Sequence, residues 1–142
     1  MPGGSSPSQA HTGSDAVRVL LADDNARFRS VLRRILERDP EIIVIGEASD
    51  GADALDLADR LQPDIVVMDV SMPHLDGLEA THRLRDRRPE IAVLLLSIGN
   101  TDQDVAAGLA GGAAAFLLKG VPITEIAAAI KLHGRSATHP AG

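Results

Sequence analysis

The sequence contains no cysteine, tryptophan or tyrosine, and its only aromatic side chains are Phe28 and Phe116. The absence of cysteine excludes a disulfide framework, a thiolate nucleophile and a zinc knuckle. Two aromatic residues do not make a platform on which nucleic-acid bases stack. The apolar runs are far shorter than the ~20 residues of a membrane span. The amino terminus also lacks the basic segment and following apolar segment of a secretory signal.

Basic residues are in the minority. Lys and Arg number 14 and Asp and Glu number 20, so the formal net charge is -6. An acidic chain without a basic run is a poor nucleic-acid binder by itself. The 142 residues are enough for one domain with a real core, and the apolar share of 44% argues against global disorder. We therefore expect a soluble, cytoplasmic single domain without a membrane segment.

The two ends of the chain differ in composition from the middle. Residues 1–16 are rich in Gly, Ser and Pro, which predicts a disordered leader. Residues 134–142 resemble them and are expected to form a disordered tail or the start of an interdomain linker. The packed domain is then expected to span residues 17–133.

Short apolar runs alternate with amphipathic segments between these ends. The runs predict strands at residues 17–22, 42–45, 65–68, 91–96 and 115–118. The amphipathic segments predict helices at residues 28–36, 52–61, 78–87, 101–110 and 124–132, with Thr101 as the N-cap of the fourth. Near-continuous apolar strands are typical of a sheet covered on both faces. The alternation therefore predicts an α/β fold, a doubly wound five-stranded parallel sheet in a three-layer sandwich.

Charged or hydroxyl side chains follow four of the predicted strands. Asp23 and Asp24 follow the first, Asp69 the third, Ser97 the fourth and Lys119 the fifth. In doubly wound sheets the functional crevice lies beyond the carboxyl ends of the strands. Three carboxylates there repel one another, and a hard divalent cation such as Mg²⁺ would relieve the repulsion. A carboxylate whose charge is masked in this way can form an acyl phosphate, with the ammonium and the hydroxyl holding phosphoryl oxygens.

These residues lie in segments that resemble the receiver domain of two-component response regulators. The segments are VRVLLADDN (17–25), PDIVVMDVSMPHLDG (63–77), LLLS (94–97) and GGAAAFLLKG (111–120). The AFLLKG ending and the following ITEIAAAIK segment are most similar to the NarL/FixJ subfamily, whose receivers are joined to a LuxR-type helix-turn-helix. The resemblance covers about residues 17–133 and implies a flavodoxin-like (βα)5 fold.

The resemblance also implies a role for each matching residue. Asp69 is the phospho-acceptor, and Asp24 and Asp69 are direct Mg²⁺ ligands. The backbone carbonyl of Ser71 is the third ligand, and Asp23 acts through metal-bound water. Lys119 binds the phosphoryl group, which comes from a sensor histidine kinase. Such a domain is regulatory rather than an enzyme, since at most it promotes its own phosphorylation and dephosphorylation.

Three further residues are implied in switching and access. Ser97 is the switch hydroxyl, at a position where Thr is commoner. Phe116 is the aromatic residue whose packing follows Ser97, at a position where Tyr is commoner. Ile98 stands where the family usually has a small residue, so its bulk is expected to slow the access of donors or hydrolytic water. The arginines of the first helix form a solvated face or contribute to kinase docking.

Two other functions stay open at this point. A phosphatase of the haloacid dehalogenase type also uses an aspartate nucleophile and Mg²⁺, but it usually shows D-x-D, whereas Asp69 is followed by Val70 and Ser71. A pseudo-receiver would bind a partner without phosphorylation. The acidic residues and Lys119 argue against a pseudo-receiver, whereas the bulky Ile98 is compatible with one.

The output is not visible in the sequence. A helix-turn-helix domain needs on the order of 60 residues beyond the receiver. We expect the chain to be either part of a longer transcription factor, which would contact DNA only through a carboxyl-terminal effector, or a stand-alone regulator. Homodimerisation is compatible with both.

Overall fold

The computed structural model describes residues 15–99 and 102–138. Its strands are Val17–Ala22 (β1), Ile42–Ala48 (β2), Ile65–Asp69 (β3), Ala92–Ser97 (β4) and Ala115–Leu118 (β5). Its helices are Ala26–Leu36 (α1), Gly51–Leu61 (α2), Gly77–Arg87 (α3), Asp102–Ala110 (α4) and Ile123–Thr138 (α5). The strands form one parallel sheet in the order β2-β1-β3-β4-β5. The predicted flavodoxin-like fold is confirmed.

The strands are mostly apolar because helices cover both faces of the sheet. Leu21 and Leu94 point into a core beneath α1 and α5. Leu20 and Leu95 point the opposite way, into a core formed with α2 and α3. All four side chains are completely buried. The strand order reverses between β1 and β3, so the crevice that such a reversal opens lies at the carboxyl ends of these two strands.

Acceptor side chains at the helix starts fix the loops at this edge. Asn25, Asp50 and Asp76 precede α1, α2 and α3, and each side chain accepts a hydrogen bond from the backbone N–H three residues later. Such caps satisfy amide groups that have no partner inside the helix. They hold the strand-to-helix connections in place directly beside the crevice. Thr101, the predicted cap of the fourth helix, lies outside the described residues.

The structure departs from the predicted ends of the domain. Helix α5 continues to Thr138, so residues 134–138, which were expected in a tail or linker, are helical. Gly134 is buried, and a Cβ atom there would lie 2.5 Å from Cγ1 of Val17. This glycine therefore lets α5 approach the sheet closely and does not end the helix. Ala16, which was assigned to the leader, is also buried.

Strand β2 likewise extends past its predicted end at residue 45, to Ala48. The pairing with β1 shifts by one residue before Gly46. A Cβ atom at Gly46 would lie 2.8 Å from Cδ1 of Leu61, so the glycine makes room for α2. Glu47 follows and pairs with arginines of α1. This added part of β2 is not an apolar run, because Gly46 makes room for α2 and Glu47 pairs with α1.

Candidate functional site

The residues singled out at the strand ends meet at one edge of the sheet. Asp24 lies in the turn after β1, Asp69 ends β3, Ser97 ends β4 and Lys119 follows β5. All four line one cleft of about 540 Å³. Parallel strands bring their carboxyl ends together, so residues up to 95 positions apart in sequence share this cleft. Asp23 lies behind them, buried against the lysine.

The three aspartates form a compact oxygen cluster. One carboxylate oxygen from each of Asp23, Asp24 and Asp69 lies within 4.8 Å of the others. Asp23 and Asp69 are buried, and Asp24 is exposed on the cleft side. The backbone N–H of Asn25 donates to Oδ1 of Asp23 at 2.8 Å, which fixes that carboxylate. The chain thus holds like charges together at a cost that a bound cation would offset.

Lys119 supplies the positive charge inside this cluster. Its Nζ lies 2.8 Å from Oδ2 of Asp23 and 3.3 Å from Oδ2 of Asp69. The side chain is only 11% exposed. Burial lowers the pKa of Lys119, but the two carboxylates outweigh this effect and leave the pKa above its usual value. The ammonium is therefore charged at neutral pH and available to an anion that enters the cleft.

The pKa of the Asp69 carboxyl group is raised toward neutral pH. Burial and then the negative charge of Asp23 raise the pKa of Asp69 to about 6, against the opposing effect of Lys119. The backbone N–H of Ser71 donates to Oδ1 at 3.3 Å. Oδ2 faces the lysine. A cation bound beside this carboxyl group would favour its charged form and so offset the cost of ionising it.

The implied switch residues occupy different places. Ser97 is buried, and its hydroxyl donates to the carbonyl of Gly99, two residues later, rather than to Asp69. Ile98 stands at the rim of the cleft with 85% of its surface exposed. Phe116 does not line the cleft. It is half-buried beside Gly108 of α4, where a Cβ atom would lie 3.1 Å from the ring.

Two residues of α1 also reach the site, and the sequence patterns did not indicate them. The ring centroid of Phe28 lies 4.6 Å from Nζ of Lys119. The guanidinium of Arg29 donates to the backbone carbonyl of Asp23 and, through Nε, to Glu47 at 2.7 Å. The helical pattern places Phe28 on the apolar face and assigns Arg29 to a solvated face or a kinase-docking surface. Their position one turn after the acidic pair was the only available signal, and alone it is weak.

The cluster satisfies the requirements of a hard divalent cation. Its donors are carboxylate oxygens, one aspartate is open to solvent, and the cleft leaves space for water ligands. Mg²⁺ prefers such a set of few protein oxygens and several waters. Among the described residues this is the group of acidic or histidine side chains that could hold a metal ion.

Comparison with known proteins defines the class. The chain matches the response regulator receiver domain family over residues 19–131, and it belongs to that family. It is 35% identical to the transcriptional regulatory protein DegU of Brevibacillus brevis, over 87% of this chain and 53% of that protein. It is 42% identical to protein-glutamate methylesterase/protein-glutamine glutaminase 4 of Myxococcus xanthus, over 75% of this chain and 30% of that enzyme.

The structural comparison agrees. The receiver domain of the putative response regulator NarL from Mycobacterium tuberculosis superposes with a TM-score of 0.82 at 36% identity, covering 85% of this chain and 98% of that domain. Relatives of the NarL and DegU type fit the predicted subfamily. The chain spans about half or less of the curated relatives it matches. No helix among the described residues is long and apolar enough to cross a membrane.

Proposed function

We propose that the chain accepts a phosphoryl group on Asp69 from a phosphohistidine of a sensor histidine kinase, with Mg²⁺ bound by the aspartate cluster. A bond forms between a carboxylate oxygen of Asp69 and phosphorus as the bond from phosphorus to the histidine nitrogen breaks. The observation that carries the proposal is the buried Lys119 ammonium 3.3 Å from Asp69 Oδ2, in a cleft that also contains two further carboxylates.

Each residue contributes a defined part of this chemistry. Asp24, Asp69 and the backbone carbonyl of Ser71 would hold Mg²⁺ directly, and Asp23 would hold it through water. The bound ion neutralises negative charge so that an anionic donor can approach a carboxylate. Asp69 is the nucleophile, and Lys119 turns from its carboxylate to a phosphoryl oxygen.

The response to phosphorylation would start at Ser97. Its hydroxyl, now on the carbonyl of Gly99, would rotate to hydrogen-bond the phosphoryl group. Phe116 would repack beside Gly108 and carry the change to α4 and β5. The exposed Ile98 at the rim would slow the entry of donors and of hydrolytic water. The domain is regulatory, with no more than self-directed phosphorylation and dephosphorylation.

The output is proposed from the relatives. DegU of Brevibacillus brevis and LiaR of Bacillus subtilis are transcriptional regulatory proteins, and this receiver chain aligns with about half of each. We propose a cytoplasmic regulator of transcription whose DNA contacts belong to a carboxyl-terminal domain outside this chain, with homodimerisation as one route for the signal. The methylesterase relative, of which the chain covers 30%, indicates that similar domains also occur within enzymes.

A mass measurement tests the proposal. Wild-type protein with acetyl phosphate and Mg²⁺ is expected to gain one phosphoryl group, and chelation of Mg²⁺ is expected to prevent this. Asp69→Asn should gain none. Asp39→Asn is the matched control, because Asp39 also contacts a lysine, at 2.8 Å, but does not line the cleft. Repeated turnover of unrelated phosphoesters would indicate a phosphatase instead, and the absence of any adduct would indicate a pseudo-receiver.

A further inference from the structure

The surroundings of Lys119 include one contact that the proposed chemistry does not use. Among the described residues, its Nζ contacts the carboxylates of Asp23 and Asp69 and lies over the Phe28 ring, 4.6 Å from the centroid. An ammonium has three N–H groups and is strongly hydrated in water. At 11% exposure most of that water has been removed, and the ring takes the place of part of it.

The ring is held firmly relative to the acidic residues. The backbone N–H of Phe28 donates to the side chain of Asn25, the N-cap of α1, at 3.0 Å. Asn25 in turn donates its own N–H to Asp23. The Phe28 side chain packs against the core beneath α1 and α5. One short segment therefore fixes both the Asp23 carboxylate and the Phe28 ring that contact the ammonium.

We propose that Phe28 is a positioning residue for Lys119, holding its ammonium at the Asp23–Asp69 side of the cleft by a cation–π contact. A ring face attracts a cation without neutralising it and without accepting a conventional hydrogen bond. The N–H groups of Lys119 thus stay available for a phosphoryl oxygen. A carboxylate or amide at this position would instead compete for them. The proposal rests on the proposed function and adds a residue to it.

The lysine content of the chain makes the contact directly measurable. Lys119 and Lys131 are its only lysines, so protein labelled with ¹³C-lysine gives two sets of side-chain resonances. Lys131 lies on α5 beside Asp39 and serves as an internal reference. Ring currents from Phe28 are expected to shift the ε-proton resonances of Lys119 upfield in the wild type and in Phe28→Tyr. The shift should disappear in Phe28→Leu, while the Lys131 resonances stay unchanged and report an intact fold.

The functional readout is the rate of phosphorylation by acetyl phosphate at saturating Mg²⁺. Phe28→Leu is expected to lower the rate about threefold, the size of a weak to moderate cation–π contact, and Phe28→Tyr to restore it. The Mg²⁺ concentration for half-maximal rate should be the same in all three proteins, because the proposed contact of the ring is with Lys119 and not with a metal ligand.

The outcomes separate cleanly. Lys119 resonances that do not move in Phe28→Leu would overturn the contact. Resonances that move with no change in rate would overturn the positioning role and leave Phe28 a packing residue. A wild-type protein that forms no adduct would overturn the proposed function, and the role of Phe28 with it, whereas an adduct formed equally fast by Phe28→Leu would overturn only the role of Phe28.

Discussion

Both lysines of the chain lie between two carboxylates, one at each end of the sheet. At the carboxyl end, Lys119 Nζ lies 2.8 Å from Asp23 and 3.3 Å from Asp69. These carboxylate side chains are 6% and 7% exposed. The N–O distances at Lys131 are nearly the same, but the amino end of the sheet provides a different environment.

The amino-end group is open to water. Lys131 Nζ lies 2.8 Å from Asp39 and 3.6 Å from Glu41, two residues that precede β2. The side chains of the lysine and Glu41 are 27% and 50% exposed. Arg135, one turn further along α5, adds a second cation on Glu41. This group ties α5 to the start of β2.

A lysine lowers the pKa of a neighbouring carboxyl group at both ends of the sheet, but at Asp69 burial outweighs this effect. The hydrogen bond from Lys131 lowers the pKa of Asp39, and the ion pair with Arg135 lowers the pKa of Glu41. Burial instead raises the pKa of Asp69 to about 6 in spite of its lysine. One end of the sheet therefore gains stability from its ionised acids, and the other maintains a charge arrangement that costs stability, as expected of a site built for the proposed function.

Replacing each lysine should give the largest difference in stability between the two ends of the sheet. At about pH 8 without Mg²⁺, we expect Lys119→Met to lower the free energy of unfolding by about 3 kcal/mol, since it leaves two buried carboxylates facing each other. The raised pKa of Lys119 means that its contribution is fully present at this pH and is lost only at strongly alkaline pH. Lys131→Met should cost less than about 1 kcal/mol. Urea unfolding of both variants measures the difference, and equal costs would contradict the comparison.

Neutralising one acid at each end should give effects of opposite sign. Because the pKa of Asp69 is raised to about 6, its ionisation destabilises the fold as the pH rises from about 4 through about 6. Asp69→Asn should therefore be more stable than the wild type by about 2 kcal/mol at about pH 8 without Mg²⁺, with no difference near pH 4.

Asp39→Asn is the counterpart at the amino end. The lowered pKa of Asp39 means that its stabilisation is present above its ordinary pKa and is lost as the pH falls. The variant should be less stable than the wild type at about pH 8, by less than about 1 kcal/mol, and equal to it in acid. Unfolding curves over a pH series test both variants. Loss of stability in Asp69→Asn at about pH 8 would show that its ionised form is favoured by the fold.

The sequence predicted the sheet well because buried strands and amphipathic helices have periodicities of their own. The limits of β1 and β5 were correct to the residue. The ends of β2 and α5 were not. Gly46 and Gly134 resemble breaks in a sequence, and here each permits close packing against a specific side chain. That information lies in the tertiary contact and not in the local pattern.

The same division applies to the site. Residues that follow parallel strands lie at one edge of the sheet, and this rule located the aspartates, Ser97 and Lys119. It could not locate Phe28, which reaches Lys119 from a helix on one face of the sheet. Nor could it give the direction of the Ser97 hydroxyl, which is set by the turn at Gly99. Side-chain orientation across elements needs the packed structure.

The salt dependence of the two lysine substitutions should be the smallest of these effects on stability, and it tests most directly whether each lysine is buried. The Debye length falls from about 10 Å at 0.1 M salt to about 3 Å at 1 M, and this screens exposed charges far more than buried ones. We expect the cost of Lys131→Met, measured as a difference from the wild type at each salt concentration, to approach zero at about 1 M NaCl. The cost of Lys119→Met should keep most of its value, because little solvent reaches a side chain that is 11% exposed.

The difference from the wild type removes the general effect of salt on stability. If both costs fell in parallel, the lysine at the carboxyl end would be as well solvated as its counterpart, and burial could not account for the raised pKa of Asp69.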